Sequence, residues 1–139
     1  LILVGMRERY DARQLSEVRG YLGKSRTGYL YKFYAECFSD NEKDLLAWFK
    51  ANLIKSYLRE MELGILLEGL DYLEHARLDT ESLNETKVRF IHGSVDRRAP
   101  VEGLARVLER LPGAVLSLIE GAGHMSFLRA GFREALNDR

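Results

Sequence analysis

The side chains best placed for chemistry are Asp96 and His124, 28 positions apart. Each lies just past an apolar run that ends in glycine. Val88-Arg89-Phe90-Ile91-His92 precedes Gly93, and the run Val115 to Ile119 precedes Gly121-Ala122-Gly123. A carboxylate beside an imidazole fixes one ring tautomer and stabilises the protonated ring, which makes a general base for a hydroxyl nucleophile. Read singly, Asp96 is equally a cap for the helix that begins near Pro100, and His124 a loop histidine with its hydrogen bonds met. Read together, on consecutive strand ends, they point to catalysis. Neighbouring strands hold their tips about 5 Å apart, and open α/β sheets bind ligands beyond the carboxyl ends of their strands. Gly93, Gly121 and Gly123 are expected to permit the turns that aim both side chains inward.

The elements that must deliver this pair follow from periodicity. Leu1 to Val4, closed by Gly5, is a continuous apolar run and predicts a strand buried on both faces of a parallel sheet. From Arg7 to about Ala76 the spacing is helical and free of proline. Leu30, Tyr34 and Phe38 repeat every four residues, as do Tyr29, Phe33 and Cys37, giving one helix a broad aromatic face. Leu45, Leu46, Phe49 and Leu53 form a second stripe after a cap expected at Ser39-Asp40-Asn41. Leu63, Leu66, Leu67, Leu70 and Leu73 form a third. Residues 79–86 connect. A strand at Val88–His92, a helix over Val101–Leu111, a strand at Val115–Ile119 and a helix over Phe127–Leu136 complete the chain. That strand–helix–strand crossover predicts two parallel strands.

The nucleophile that such a pair would activate has no candidate here. A nucleophile elbow reads Gly-x-Ser-x-Gly between a strand and a helix. Gly23-Lys24-Ser25-Arg26-Thr27 comes nearest, but it ends in threonine and no apolar strand precedes it. Nor is it a phosphate loop, because Val18 occupies the first glycine position. His75, His92 and Cys37 lack metal-ligand spacing, so no metal and no cofactor is expected. His92 is read as structural. Asp71 is an alternative acid only if it reached the pair from its helix.

Composition narrows the class. Lys plus Arg and Asp plus Glu are 21 each, which provides no basic surplus for nucleic acid. No apolar run reaches the eighteen or so residues of a membrane span. Cys37 is the single cysteine, so no internal disulfide forms, and a reducing, cytoplasmic setting is expected.

Ile91-His92-Gly93-Ser94-Val95-Asp96-Arg97-Arg98-Ala99-Pro100 and Glu120-Gly121-Ala122-Gly123-His124-Met125-Ser126-Phe127 resemble the end of an α/β-hydrolase. There a strand-Gly-x-x-Asp-x-x-x-Pro segment carries the triad acid and a Gly-His segment the base. The resemblance implies an α/β fold in three parts. Residues 1–5 are a core strand following the nucleophile elbow, 6–86 a helical lid, and 87–139 the C-terminal parallel strands with flanking helices. The chain opens inside a strand pattern, so it is expected to be the C-terminal part of a longer serine esterase, inactive without the nucleophile and oxyanion loop. It is expected to pair with the missing N-terminal half or with itself through Leu1–Val4.

Within that superfamily the chain resembles the pimeloyl-acyl-carrier-protein methyl ester esterases of biotin synthesis. Gly123-His124-Met125-Ser126-Phe127, Leu63-Gly64-Ile65-Leu66-Leu67-Glu68-Gly69-Leu70 and Lys32-Phe33-Tyr34-Ala35-Glu36-Cys37 carry this resemblance. It implies substrate contacts by Phe33, Tyr34, Ala35, Glu36 and Cys37 with His124, and contacts to an acyl-carrier protein by Lys32 and Lys43. The expected substrate is a medium-chain acyl methyl ester. Met125-Ser126 stands where that family has Ala-Pro, Cys37 where it has Gln, and Glu36 where it has an apolar residue. A carbon–carbon bond hydrolase, a lipase-like esterase and a non-catalytic acyl or carrier-protein binding module are the alternatives.

Overall fold

The computed structural model describes residues 1–137, so the last two positions of the 87–139 segment lie outside the described residues. Strand β1 (Ile2–Val4) leads into four helices: α1 (Ala12–Glu36), α2 (Lys43–Asn52), α3 (Ile54–Glu60) and α4 (Leu63–His75). Then come β2 (Arg89–Gly93), a 3-10 turn (Val101–Leu104), α5 (Ala105–Arg110), β3 (Val115–Ile119), a second 3-10 turn (Ser126–Leu128) and α6 (Ala130–Asn137).

The three strands form one parallel sheet in the order β1-β2-β3, with Leu3 opposite Phe90 and Ile91 opposite Ser117. Alternation along β2 fills both faces of the sheet. Phe90 packs with Leu104, Val107 and Leu111 from the α5 side, whereas Ile91 packs with Ile119, Ala122 and Ala135 from the α6 side. The expected burial of β1 on both faces is met on one: Leu3 packs with the Phe90 cluster, whereas Ile2 and Val4, which alternate onto the other face, are exposed. β1 has one strand neighbour and stands at the sheet edge, the open edge expected of this stretch.

The helical segment builds its own core. Leu30, Tyr34, Cys37 and Phe38 bury against Phe49, Ile54 and Met125, as the four-residue repeats require. The rings of Tyr34, Phe49 and Tyr57 meet at 5.3–5.6 Å, tilted or edge-on, the preferred aromatic geometry. Helix α1 is two rods: Ser25, at φ −161° and ψ 92°, breaks it, and its hydroxyl accepts the Gly28 N–H. Two local expectations fail. The side chains of Ser39, Asp40 and Asn41 do not cap α2, whose N-cap position is Glu42. The stretch Val101–Leu111 is not one α-helix, for Pro100 opens a 3-10 turn instead.

Candidate active site

Asp96 and His124 meet. Because β2 and β3 are adjacent and in parallel register, their C-terminal loops emerge side by side, stitched by Ser94 N–H to Ile119 O and Val95 N–H to Ala122 O. The Ser94 hydroxyl also accepts the Gly121 N–H at 2.8 Å. On this scaffold His124 Nδ1 lies 2.8 Å from Asp96 Oδ2. The carboxylate accepts, so Nδ1 carries the proton and Nε2 is left as the basic nitrogen. The Asp96 side chain is fully buried while His124 keeps 29% of its side chain exposed.

Asp96 divides its two oxygens. While Oδ2 takes the imidazole, Oδ1 accepts the N–H of Arg98 at 2.7 Å and of Ala99 at 2.9 Å. The helix-cap reading does not hold, since Pro100 is the N-cap of the following 3-10 turn and no side chain caps it; Asp96 instead pins the turn after β2 and contacts the ring. Burial pushes its pKa up. The hydrogen bond from His124, the Ala99 N–H, the charge of a protonated His124 and the Arg98 N–H outweigh burial and hold it below the ordinary value of 3.8.

Of the three glycines expected to permit turns, Gly121 does so at φ +68°, and the other two serve the site differently. Gly93 and Gly123 provide close approach: a Cβ on Gly93 would lie 2.2 Å from Gly123 O, and one on Gly123 2.5 Å from Cys37 O. Gly5, at the end of β1, was not foreseen. It adopts φ +54°, and a Cβ there would touch the His124 ring at 3.3 Å. Its position after an apolar run was the available signal.

The remaining candidates fall into five groups. Tyr34 and Cys37 are buried in the aromatic core, and burial pushes the Cys37 thiol up to about 12 despite the nearby Arg98. Phe33, Ala35 and Glu36 are less covered. The end of α1 reaches the loop carrying Asp96 through Arg98, whose guanidinium sits 4.8 Å above the Phe33 ring and pairs with Glu36. Lys32 lies exposed, 3.8 Å from Glu36, and Lys43 is the exposed first residue of α2. Asp71 instead pairs with Arg19 at 2.6 Å. His92 is fully buried and donates from Nε2 to Ala99 O at 2.9 Å, while its Nδ1 lacks a partner.

Among the described residues no cluster of three or more His, Cys, Asp or Glu could hold a metal, and no helix is long and apolar enough to cross a membrane. A groove of about 830 Å³ between the start of α2, β3 and α6 borders Glu42 and Arg129 but neither Asp96 nor His124.

No family model matches the chain, and no curated protein matches it. Solved structures do. A thermophilic esterase from Thermogutta terrifontis superposes with a TM-score of 0.75 at 17% identity, covering 98% of this chain and 52% of the esterase. A bromoperoxidase from Bacillus anthracis gives 0.70 at 14% identity, covering 98% and 54%. The 2-hydroxy-6-oxo-6-phenylhexa-2,4-dienoate hydrolase from Rhodococcus sp. strain RHA1 gives 0.65 at 15% identity, covering 97% and 52%. The chain thus spans about half the length of the structures it matches, and its fold is that of the C-terminal half of α/β-hydrolase structures.

Proposed function

We propose that this chain, with the α/β-hydrolase architecture as its premise, supplies the acid and base of a carboxylic ester hydrolase whose nucleophile lies outside these 139 residues. The observation that carries the reading is the 2.8 Å contact between His124 Nδ1 and the fully buried Asp96 carboxylate. In the reaction a serine hydroxyl attacks the ester carbonyl while His124 Nε2 takes its proton. Asp96 stabilises the resulting imidazolium, and the proton then passes to the departing alcohol. Water repeats the sequence on the acyl-enzyme, freeing the acid and restoring the serine.

The proposed substrate is a medium-chain acyl methyl ester of the pimeloyl-carrier-protein type. Phe33, Ala35 and Glu36 would line the acyl chain, with the buried Tyr34 and Cys37 backing that wall, and Lys32 and Lys43 would meet an acidic carrier protein. The helices between β1 and β2 act as the lid. The nucleophile-bearing half is proposed to pair with the open edge of β1, where Ile2 and Val4 are exposed.

A second reading, carbon–carbon bond hydrolysis, is favoured by the likeness to the dienoate hydrolase, since one fold hosts many chemistries. A substrate panel on protein extended upstream of Leu1 separates the two. The extended protein should label with a serine-directed fluorophosphonate and cleave methyl esters, and His124→Ala should lower turnover about 10³-fold or more. Labelling and ester turnover by residues 1–139 alone would overturn the proposal.

A further inference from the structure

We infer that Glu42 is a positioning residue for the His124 imidazole, acting through the backbone N–H of Gly123; the inference rests on the acid–base reading above. Glu42 sits between α1 and α2, yet its side chain is fully buried beneath the loop that carries the base. Its Oε2 accepts two N–H groups, from Ser39 at 2.8 Å and from Gly123 at 2.9 Å. Gly123 directly precedes His124 in the chain.

The Ser39 contact has a local explanation, half of a capping box, in which a glutamate reaches back three residues to a backbone N–H. The reciprocal half is missing. The Ser39 hydroxyl turns away from the helix and donates to Gly121 O at 2.8 Å. The α1–α2 junction therefore grips the base loop on both sides of Ala122, at Gly121 O and Gly123 N. A third bond, from Met125 N to Cys37 O at 3.3 Å, holds the residue after His124. The backbone on either side of the imidazole is thus tied to one short stretch of chain, Cys37 to Glu42.

The chemistry of Glu42 argues that its acid group is used. Its Oε1 is buried without a hydrogen-bond partner, and the nearest cation, Arg129 Nε, is 3.8 Å away. A buried carboxyl with an unmet oxygen is costly, and an apolar side chain would fill the space at less cost. What an apolar side chain lacks is an acceptor for the Gly123 N–H. The absence of a Cβ at Gly123 lets this approach happen, since one there would come within 3.1 Å of Glu42 Oε2.

The test uses the labelled 139-residue chain and the low-field NMR signals of its imidazole protons. The chain has three histidines: His75 is exposed, His92 donates to Ala99 O inside the core, and His124 donates to Asp96. His92 therefore reports folding while His124 reports alignment. In Glu42→Ala the His124 Nδ1 proton should exchange with solvent about tenfold faster, or vanish, while the His92 signal persists. Glu42→Gln, which keeps an acceptor oxygen, should restore slow exchange. An unchanged His124 signal in Glu42→Ala overturns the inference and leaves the acid–base reading standing. A wild-type chain with a His92 signal and no His124 signal overturns that reading itself. If Glu42→Ala loses both signals, Glu42→Met decides: it fills the same space without an acceptor for the Gly123 N–H, so it should quicken His124 exchange with His92 intact, and no change there also overturns the inference.

Discussion

The α-carbon of Gly93 faces the carbonyl of Gly123 so closely that a methyl group on the former would stand 2.2 Å from the latter's oxygen. That approach draws the tip of β2 against the loop bearing His124, and with it Asp96 toward His124. Both contacting atoms are backbone, so no side-chain rotation relieves the clash. Gly93→Ala should destabilise the fold by about 3 kcal/mol and break the Asp96–His124 bond. Denaturant unfolding checks the first effect. An alanine variant as stable as wild type would refute it.

Asp96→Asn tests the double use of the carboxylate. The amide can still serve the Arg98 and Ala99 N–H groups through its oxygen, but it presents a donor toward Nδ1. A loss of about 2 kcal/mol near neutral pH is expected. The pKa of Asp96 is lowered on folding, so its contribution is full above 3.8 and is lost as pH falls through the folded value. The gap between wild type and Asp96→Asn should hence narrow in acid below about pH 4. A gap that widens there contradicts the assignment.

Cys37 should be chemically silent. With 1% of its surface exposed and a thiol pKa of about 12, it has almost no thiolate at neutral pH. A chromogenic disulfide reagent should react fully only after denaturation. Stoichiometric reaction of native protein within minutes would show the junction after α1 to be open.

The exposed edge of β1 makes a statement about association. Ile2 and Val4 present apolar side chains beside unpaired backbone groups, a template for another strand. The 139-residue chain alone should self-associate in sedimentation experiments, and Val4→Lys should lower that tendency. A wild-type monomer at high concentration would remove the proposed docking edge.

Much of this was readable from residue order, for reasons that also mark where reading failed. The runs ending at Gly93 and Ile119 are apolar, short and glycine-stopped, and a parallel crossover leaves few ways to place the loops after them. Asp96 and His124 were legible on that ground. Apolarity says that a strand wants covering, but not on which faces, so β1 was expected to be buried on both and is covered on one, at Leu3. Glu42 was hidden because a charged residue opening a helix looks like a solvated one. Its role depends on a contact 81 positions away, which no local pattern encodes. The same distance effect diverted the Ser39 hydroxyl to Gly121 O and so emptied the expected cap.

The break in α1 at Ser25 has a consequence for geometry. As one rod, its 25 residues would stretch about 37 Å along a single line fixed by Asp11. Divided, the later portion takes its own bearing, with Arg26 clamping Leu58 O and Met61 O at the end of α3. That portion, about three turns long, is the one that brings Phe33, Tyr34 and Glu36 over the strand tips. The heading of the aromatic face is thereby decoupled from where the helical segment departs the sheet, and a single serine sets the elbow between them.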